Sequence, residues 1–127
     1  MPIYYKNYPE DGYVLTVFDG AVTLPEASAM FRDLFNEPFF NPRHAHLADL
    51  SRFHAPDIGF AEVFSLFSLL DRTYESLGHT TRAAIYAPDE TVFGLSRIFE
   101  NLTETSKAIN VSLFDDLDAA RSWIIDQ

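Results

Sequence analysis

The chain has 127 residues, 47% of them apolar, with twelve phenylalanines and no cysteine. That supplies one domain with an aromatic core, and it excludes a disulfide framework, a thiolate nucleophile and a cysteine zinc site. Nineteen acidic against nine basic residues leave a formal charge of −10, which repels phosphate backbones and anionic head groups, so neither nucleic acid nor a membrane is expected as a partner.

The first segment, Ile3 to Tyr8, is an aromatic strand, and Tyr13 to Asp19 is its hairpin partner. Between them Pro9-Glu10-Asp11-Gly12 forms the turn, with Asp-Gly supplying the positive φ. Asp19-Gly20 bends or ends the second strand. Thr23 with Glu26 forms a capping box, Pro25 sits in the first turn where its missing N–H costs nothing, and a helix follows from Leu24 to Asn36. Its buried side is Ala27, Met30, Phe31, Leu34 and Phe35.

Pro38 to His44 reads as a connecting loop, and His46 to Leu50 as a short strand. After a second connection from Ser51 to Pro56, apolar residues recur at spacings of three and four, from Phe60 through Phe64, Phe67 and Tyr74 to Leu77. This is one face of a long helix, stopped by Gly78. Arg82 to Ala87 is a short apolar run suited to a strand buried on both faces. Pro88-Asp89 opens a helix in which Gly94 costs about 1 kcal/mol against alanine, so close packing is expected at that position. Asn110 to Phe114 is the last strand, and Asp115, Asp116 and Asp118 suit the positive end of a final helix carrying Leu117, Ala120, Trp123 and Ile124.

The order is β-β-α-β-α-β-α-β-α. Strands alternating with helices after an opening hairpin predict an α/β fold with a mixed, largely parallel five-stranded sheet. No repeat or linker divides the chain, so residues 1–127 are expected to form one domain. No run approaches the ~20 apolar residues of a membrane span, and the segment Met-Pro-Ile-Tyr-Tyr-Lys-Asn-Tyr lacks the basic and apolar regions of a signal peptide. The expected location is cytoplasmic.

Three groups of residues carry a family resemblance. They are Ala48-Asp49-Leu50-Ser51 closing the third strand, Arg82-Ala83-Ala84-Ile85 with Phe93-Gly94-Leu95-Ser96-Arg97-Ile98-Phe99-Glu100, and Val111 to Phe114 with Asp118-Ala119-Ala120-Arg121-Ser122-Trp123-Ile124. With the element order of the whole chain, they resemble the STAS-like or SpoIIAA-like proteins, also described as STAS/SEC14-like, small bacterial domains of mostly uncharacterised function. In the anti-sigma-factor antagonists of that group, a serine at the start of the helix after the third strand is phosphorylated. The resemblance puts Pro56, Asp57 or Ile58 at that position, none with a hydroxyl, so the phosphorylation switch is not expected here. Asp57 can cap the helix, and Ser51 lies several residues too early to replace the serine.

Other constellations are weaker. His44, His46, His54, Asp49 and Asp57 cluster in sequence but match no metal-ligand spacing, and the histidines read as surface or strand-end residues. Ser51, His54 and Asp49 or Asp57 make a triad only on paper, and structural or capping roles explain them better. The five glycines are scattered and form no phosphate-binding loop. No catalytic residue, cofactor site or metal site is therefore assigned.

The aromatic helix is the feature that points furthest. Core packing against the sheet accounts for most of its side chains, and the part of its apolar arc that exceeds what one sheet face needs marks either a homodimer interface or the wall of an apolar pocket. The leading expectation is a non-enzymatic STAS-like domain acting through an unknown protein partner, homodimeric through Phe60 to Leu77 or the hairpin edge. The alternative is a carrier or sensor of an apolar small molecule or lipid. The interaction or pocket candidates are Asp49, Ser51, Asp57, Phe60, Phe64, Phe67, Phe93 and Phe99, and a pocket walled by Phe64, Phe67, Phe93 and Phe99 would favour the alternative.

Overall fold

A computed structural model describes residues 2–54 and 59–125. Five strands, β1 (Ile3–Tyr8), β2 (Tyr13–Ala21), β3 (Ala45–His54), β4 (Thr81–Tyr86) and β5 (Ile109–Phe114), form one sheet in the order β1-β2-β3-β4-β5. β1 is antiparallel to β2, and every later pairing is parallel. The helices are α1 (Leu24–Phe35), α2 (Phe60–Leu77), α3 (Glu90–Thr103) and α4 (Leu117–Ile125).

The strand order explains where the helices lie. Each of the three crossovers, through α1, α2 and α3, advances one strand in the same direction, so a single handedness puts all three helices on one face. Their buried residues Met30, Phe31, Leu34, Tyr74 and Val92 join Val14, Phe18, Ile85, Ile109 and Val111 of the sheet in the main core. The other face has α4 alone, whose Ala120 and Ile124 pack on Tyr13, Ala45, Leu47 and Ala84. Arg82 of β4 closes the end of α4: its guanidinium donates to the carbonyls of Trp123 at 3.2 Å and Ile124 at 3.0 Å, satisfying acceptors the helix leaves unpaired.

Local signals act as their chemistry requires. Thr23 N–H donates to Glu26 Oε1 at 2.9 Å while Glu26 N–H donates back to Thr23 Oγ1 at 3.3 Å. Asp89 Oδ2 accepts from Val92 N–H at 3.1 Å and starts α3. Gly12 turns the hairpin at φ 73°, and Gly78 ends α2 in the left-handed region at φ 69°.

Two expectations are corrected. β3 does not stop at Leu50 but runs to His54, because the register shifts between Val17 and Asp19 and the strand then pairs Arg52, Phe53 and His54 with Asp19, Gly20 and Ala21. The alternation of buried Phe53 between exposed Arg52 and His54 is a strand pattern disguised by its polar members. Gly94 is not a close-packing site: it is exposed, and a Cβ there would meet nothing within 4 Å.

Candidate functional site

Beneath the three-helix face lies an almost wholly apolar cavity of about 130 Å³. Its origin is a shortage of side-chain volume. Ala48 of β3 and Ala83 of β4, on the two middle strands of the parallel set, pave the floor with methyl groups, and Ala27 of α1 adds a third small residue. Ala48 pairs with Ile85 and Ala83 with His46, so these positions share one face of the sheet. Phe31, Phe53 and Phe99 form aromatic parts of the wall. Half-buried Leu24, Glu62 and Leu66, from the N-terminal halves of α1 and α2, complete it on the more exposed side.

A buried side-chain pair stands in this wall. His46 Nε2 and Tyr74 OH are 2.5 Å apart, joining β3 to α2 across 28 residues of sequence. Tyr74 is 1% exposed and His46 7%. Aromatic rings surround the pair: Phe35 meets Tyr74 edge-on at 5.7 Å, Phe40 at 6.4 Å, and Phe31 meets His46 at 6.4 Å. Burial away from water, helped by neighbouring His44, pushes the His46 imidazole down from its usual 6.5 to about 4. Burial likewise pushes the Tyr74 phenol up, keeping it protonated. A neutral imidazole and a neutral phenol therefore share this bond at neutral pH.

A wider groove of about 390 Å³ lies at the C-terminal end of α2, beside Gly78, Thr80 and Lys107. Its central polar groups are already paired: Ser106 Oγ donates to Asp71 Oδ1 at 2.6 Å and accepts the N–H groups of Ala108 and Ile109. The smaller cavity is the better candidate for a ligand, since it offers burial and its exposed lining is almost wholly apolar.

The residues singled out from sequence fall into separate places. Phe60, Phe64, Phe67 and Phe99 form a ladder of rings with successive centroids 6.1, 6.5 and 6.1 Å apart, running from the outside of α2 to the cavity wall. Phe60 and Phe64, 61% and 47% exposed, are its outer end, and Phe99 is the member that lines the cavity. Phe93 stands apart from the cavity lining, with the Arg97 guanidinium 5.2 Å over its ring. Asp49 Oδ1 accepts from both the N–H and the hydroxyl of Ser51, at 2.9 and 2.7 Å, a local turn within β3 that is not joined to the cavity. Asp57, with Pro56 and Ile58, lies outside the described residues.

His46 is not the surface or strand-end residue its sequence neighbourhood suggests. It occupies a face position of β3 under α1 and α2, and its partner Tyr74 was visible only as one member of the apolar stripe of α2. A signal was present: a histidine two residues before Ala48, in a run otherwise apolar, points to the same face as that alanine. Among the described residues no group of three or more His, Asp and Glu converges as a metal site requires. None of their helices is long and apolar enough to cross a membrane.

The architecture has a solved counterpart. A crystal structure of an uncharacterised protein from Shewanella loihica PV-4, of the DUF3478 family and with a SpoIIAA-like fold, superposes with a TM-score of 0.63 over 96% of this chain and 91% of that one. The fold is SpoIIAA-like. At 16% identity the likeness extends to the arrangement of the SpoIIAA-like sheet and helices and not to side-chain chemistry. No family model and no curated protein matches the chain.

The depressed His46 value has a consequence for stability. Unfolding returns the imidazole to 6.5, so below that pH the unfolded chain takes up a proton that the folded one refuses until about pH 4. The His46 contribution is intact above pH 6.5 and is lost as pH falls towards 4, on the order of 3 kcal/mol in all. Denaturant unfolding at a series of pH values should give a shallower acid loss for His46→Gln than for the wild type. Equal losses in the two proteins would contradict the assignment.

Proposed function

We propose that this SpoIIAA-like domain is a non-enzymatic binding protein, a carrier or sensor, for a small apolar molecule held in the cavity above Ala48 and Ala83. The observation that carries the reading is the cavity itself, an apolar space in the middle of a core of aliphatic and aromatic side chains. Large side chains such as Phe31, Phe53, Phe99 and Leu70 stand around this space, yet alanine occupies its floor. An apolar cavity of roughly 150 Å³ is known to stay dry and to accept benzene, which sets the scale of ligand for a space of about 130 Å³. Binding here would proceed by burial and shape, with no covalent step.

Isothermal titration with benzene tests this reading against the variant Ala48→Ile, which fills the floor. The wild type should bind saturably, and Ala48→Ile should fold and fail to bind. Absence of saturable binding to the wild type, or equal binding by the variant, would contradict the proposal.

A second reading concerns the outside of α2. Phe60, Phe64 and Leu77, the last 44% exposed, leave apolar surface in water, and Phe60 and Phe64 stack with their planes 25° apart. Such a surface supports a homodimer, and a domain that dimerises there could present its ligand state to a protein partner. Sedimentation equilibrium should give a dimer for the wild type and a monomer for Phe64→Glu. A wild-type monomer across the accessible concentration range would remove this reading.

A further inference from the structure

Thr16 and His46 sit on neighbouring strands and on the same face of the sheet, since His46 pairs with Val14 and Thr16 pairs with Ala48. Both line the cavity, and both are buried, at 1% and 7% exposure. Among the described residues, the Thr16 hydroxyl oxygen and His46 Nδ1 are the two buried side-chain polar atoms with no hydrogen-bond partner. Polar atoms cut off from water are unfavourable unless something pairs with them. Here the two orphans belong to residues that line one apolar space, one step of the pleat apart on β2 and β3.

We propose that the cavity takes an uncharged alcohol or phenol of ring size, whose hydrocarbon part fills the space over Ala48 and Ala83 and whose hydroxyl pairs with Thr16 and His46. The inference rests on the reading of the cavity as a small-molecule site and specifies the class of molecule. A hydroxyl suits the pair better than other polar groups for a reason of proton bookkeeping. His46 Nε2 is committed to Tyr74, so Nδ1 carries a hydrogen if Tyr74 donates to Nε2, and a lone pair if Nε2 donates to Tyr74. A ligand hydroxyl donates and accepts, so it satisfies either tautomer, and the Thr16 hydroxyl rotates to match. An ether or a ketone can serve only one of these arrangements.

Charge excludes the corresponding acids. Burial keeps His46 neutral at neutral pH, so the imidazole offers a hydrogen bond and no positive charge. The lining includes the carboxyl residue Glu62 and has no lysine or arginine. A carboxylate would lose its hydration there and meet like charge in return.

Toluene, phenol and benzoate separate the possibilities by calorimetric titration, because toluene and phenol are nearly the same shape. Phenol is much the better hydrated in water, so it binds more weakly than toluene unless the cavity supplies partners for its hydroxyl. The expected result is phenol binding at least as tightly as toluene, with no benzoate binding. Thr16→Val, which keeps the shape and removes the hydroxyl, should weaken phenol about tenfold and leave toluene unchanged. Thr16→Ser should keep the wild-type preference.

Toluene binding more tightly than phenol, benzoate binding as well as phenol, or Thr16→Val weakening both neutral ligands alike would overturn the assignment while leaving a small-molecule cavity in place. Failure of both toluene and phenol to bind the wild type would instead overturn the underlying reading. The wild-type order of affinities decides the matter even where a variant does not fold.

Discussion

The bond between His46 and Tyr74 is the constraint around which the ligand-sized space is arranged. It is a 2.5 Å contact in the main core, tying a middle strand to the longest helix. Two polar groups there are tolerable only because each satisfies the other, and removing either would leave its partner buried and unpaired. The bond also sets a distance. It holds the C-terminal part of α2 against the sheet, while nearer the N-terminus of the same helix Val63, Leu66 and Leu70 roof a floor made of alanine. The helix cannot collapse onto Ala48 and Ala83 without disturbing the bond, and the space persists.

The winding of the sheet makes such a space possible. Three helices share one face because each crossover steps in the same direction, so that face has a continuous apolar layer from α1 to α3. The opposite face has only α4, held at its end by Arg82. The proposed ligand would be shielded from water by elements that belong to different crossovers. The ladder of rings from Phe99 through Phe67 to Phe64 and Phe60 joins this space to the outer side of α2.

Much of this architecture was legible in the sequence. The capping box of Thr23 and Glu26, the left-handed stop at Gly78, the Asp-Gly hairpin turn and the three- and four-residue spacing of α2 are local signals whose physics acts within a few residues. The full length of β3 was less legible, because its second half is mostly polar and becomes a strand by pairing with the bent end of β2. Gly94 invited a packing explanation and has none. The cavity was not legible as a place. A void is a deficit summed over side chains from both central strands and three helices, and no single residue announces it. Phe99 was among the candidates and does line it, whereas Phe31 and Phe53, read only as core or unassigned, line it equally. The polar pair at Thr16 and His46 depends on register between β2 and β3, which the sequence does not state.

The central claim is that an open apolar space exists between the alanine floor and helices α1 to α3. Diffraction from a crystal held under xenon pressure measures this directly, because xenon enters dry cavities of this size and scatters strongly. The account predicts a xenon atom above Ala48 and Ala83, within contact of Phe99, with the His46 to Tyr74 bond intact. A core in which side chains fill that position and no xenon is found would contradict it.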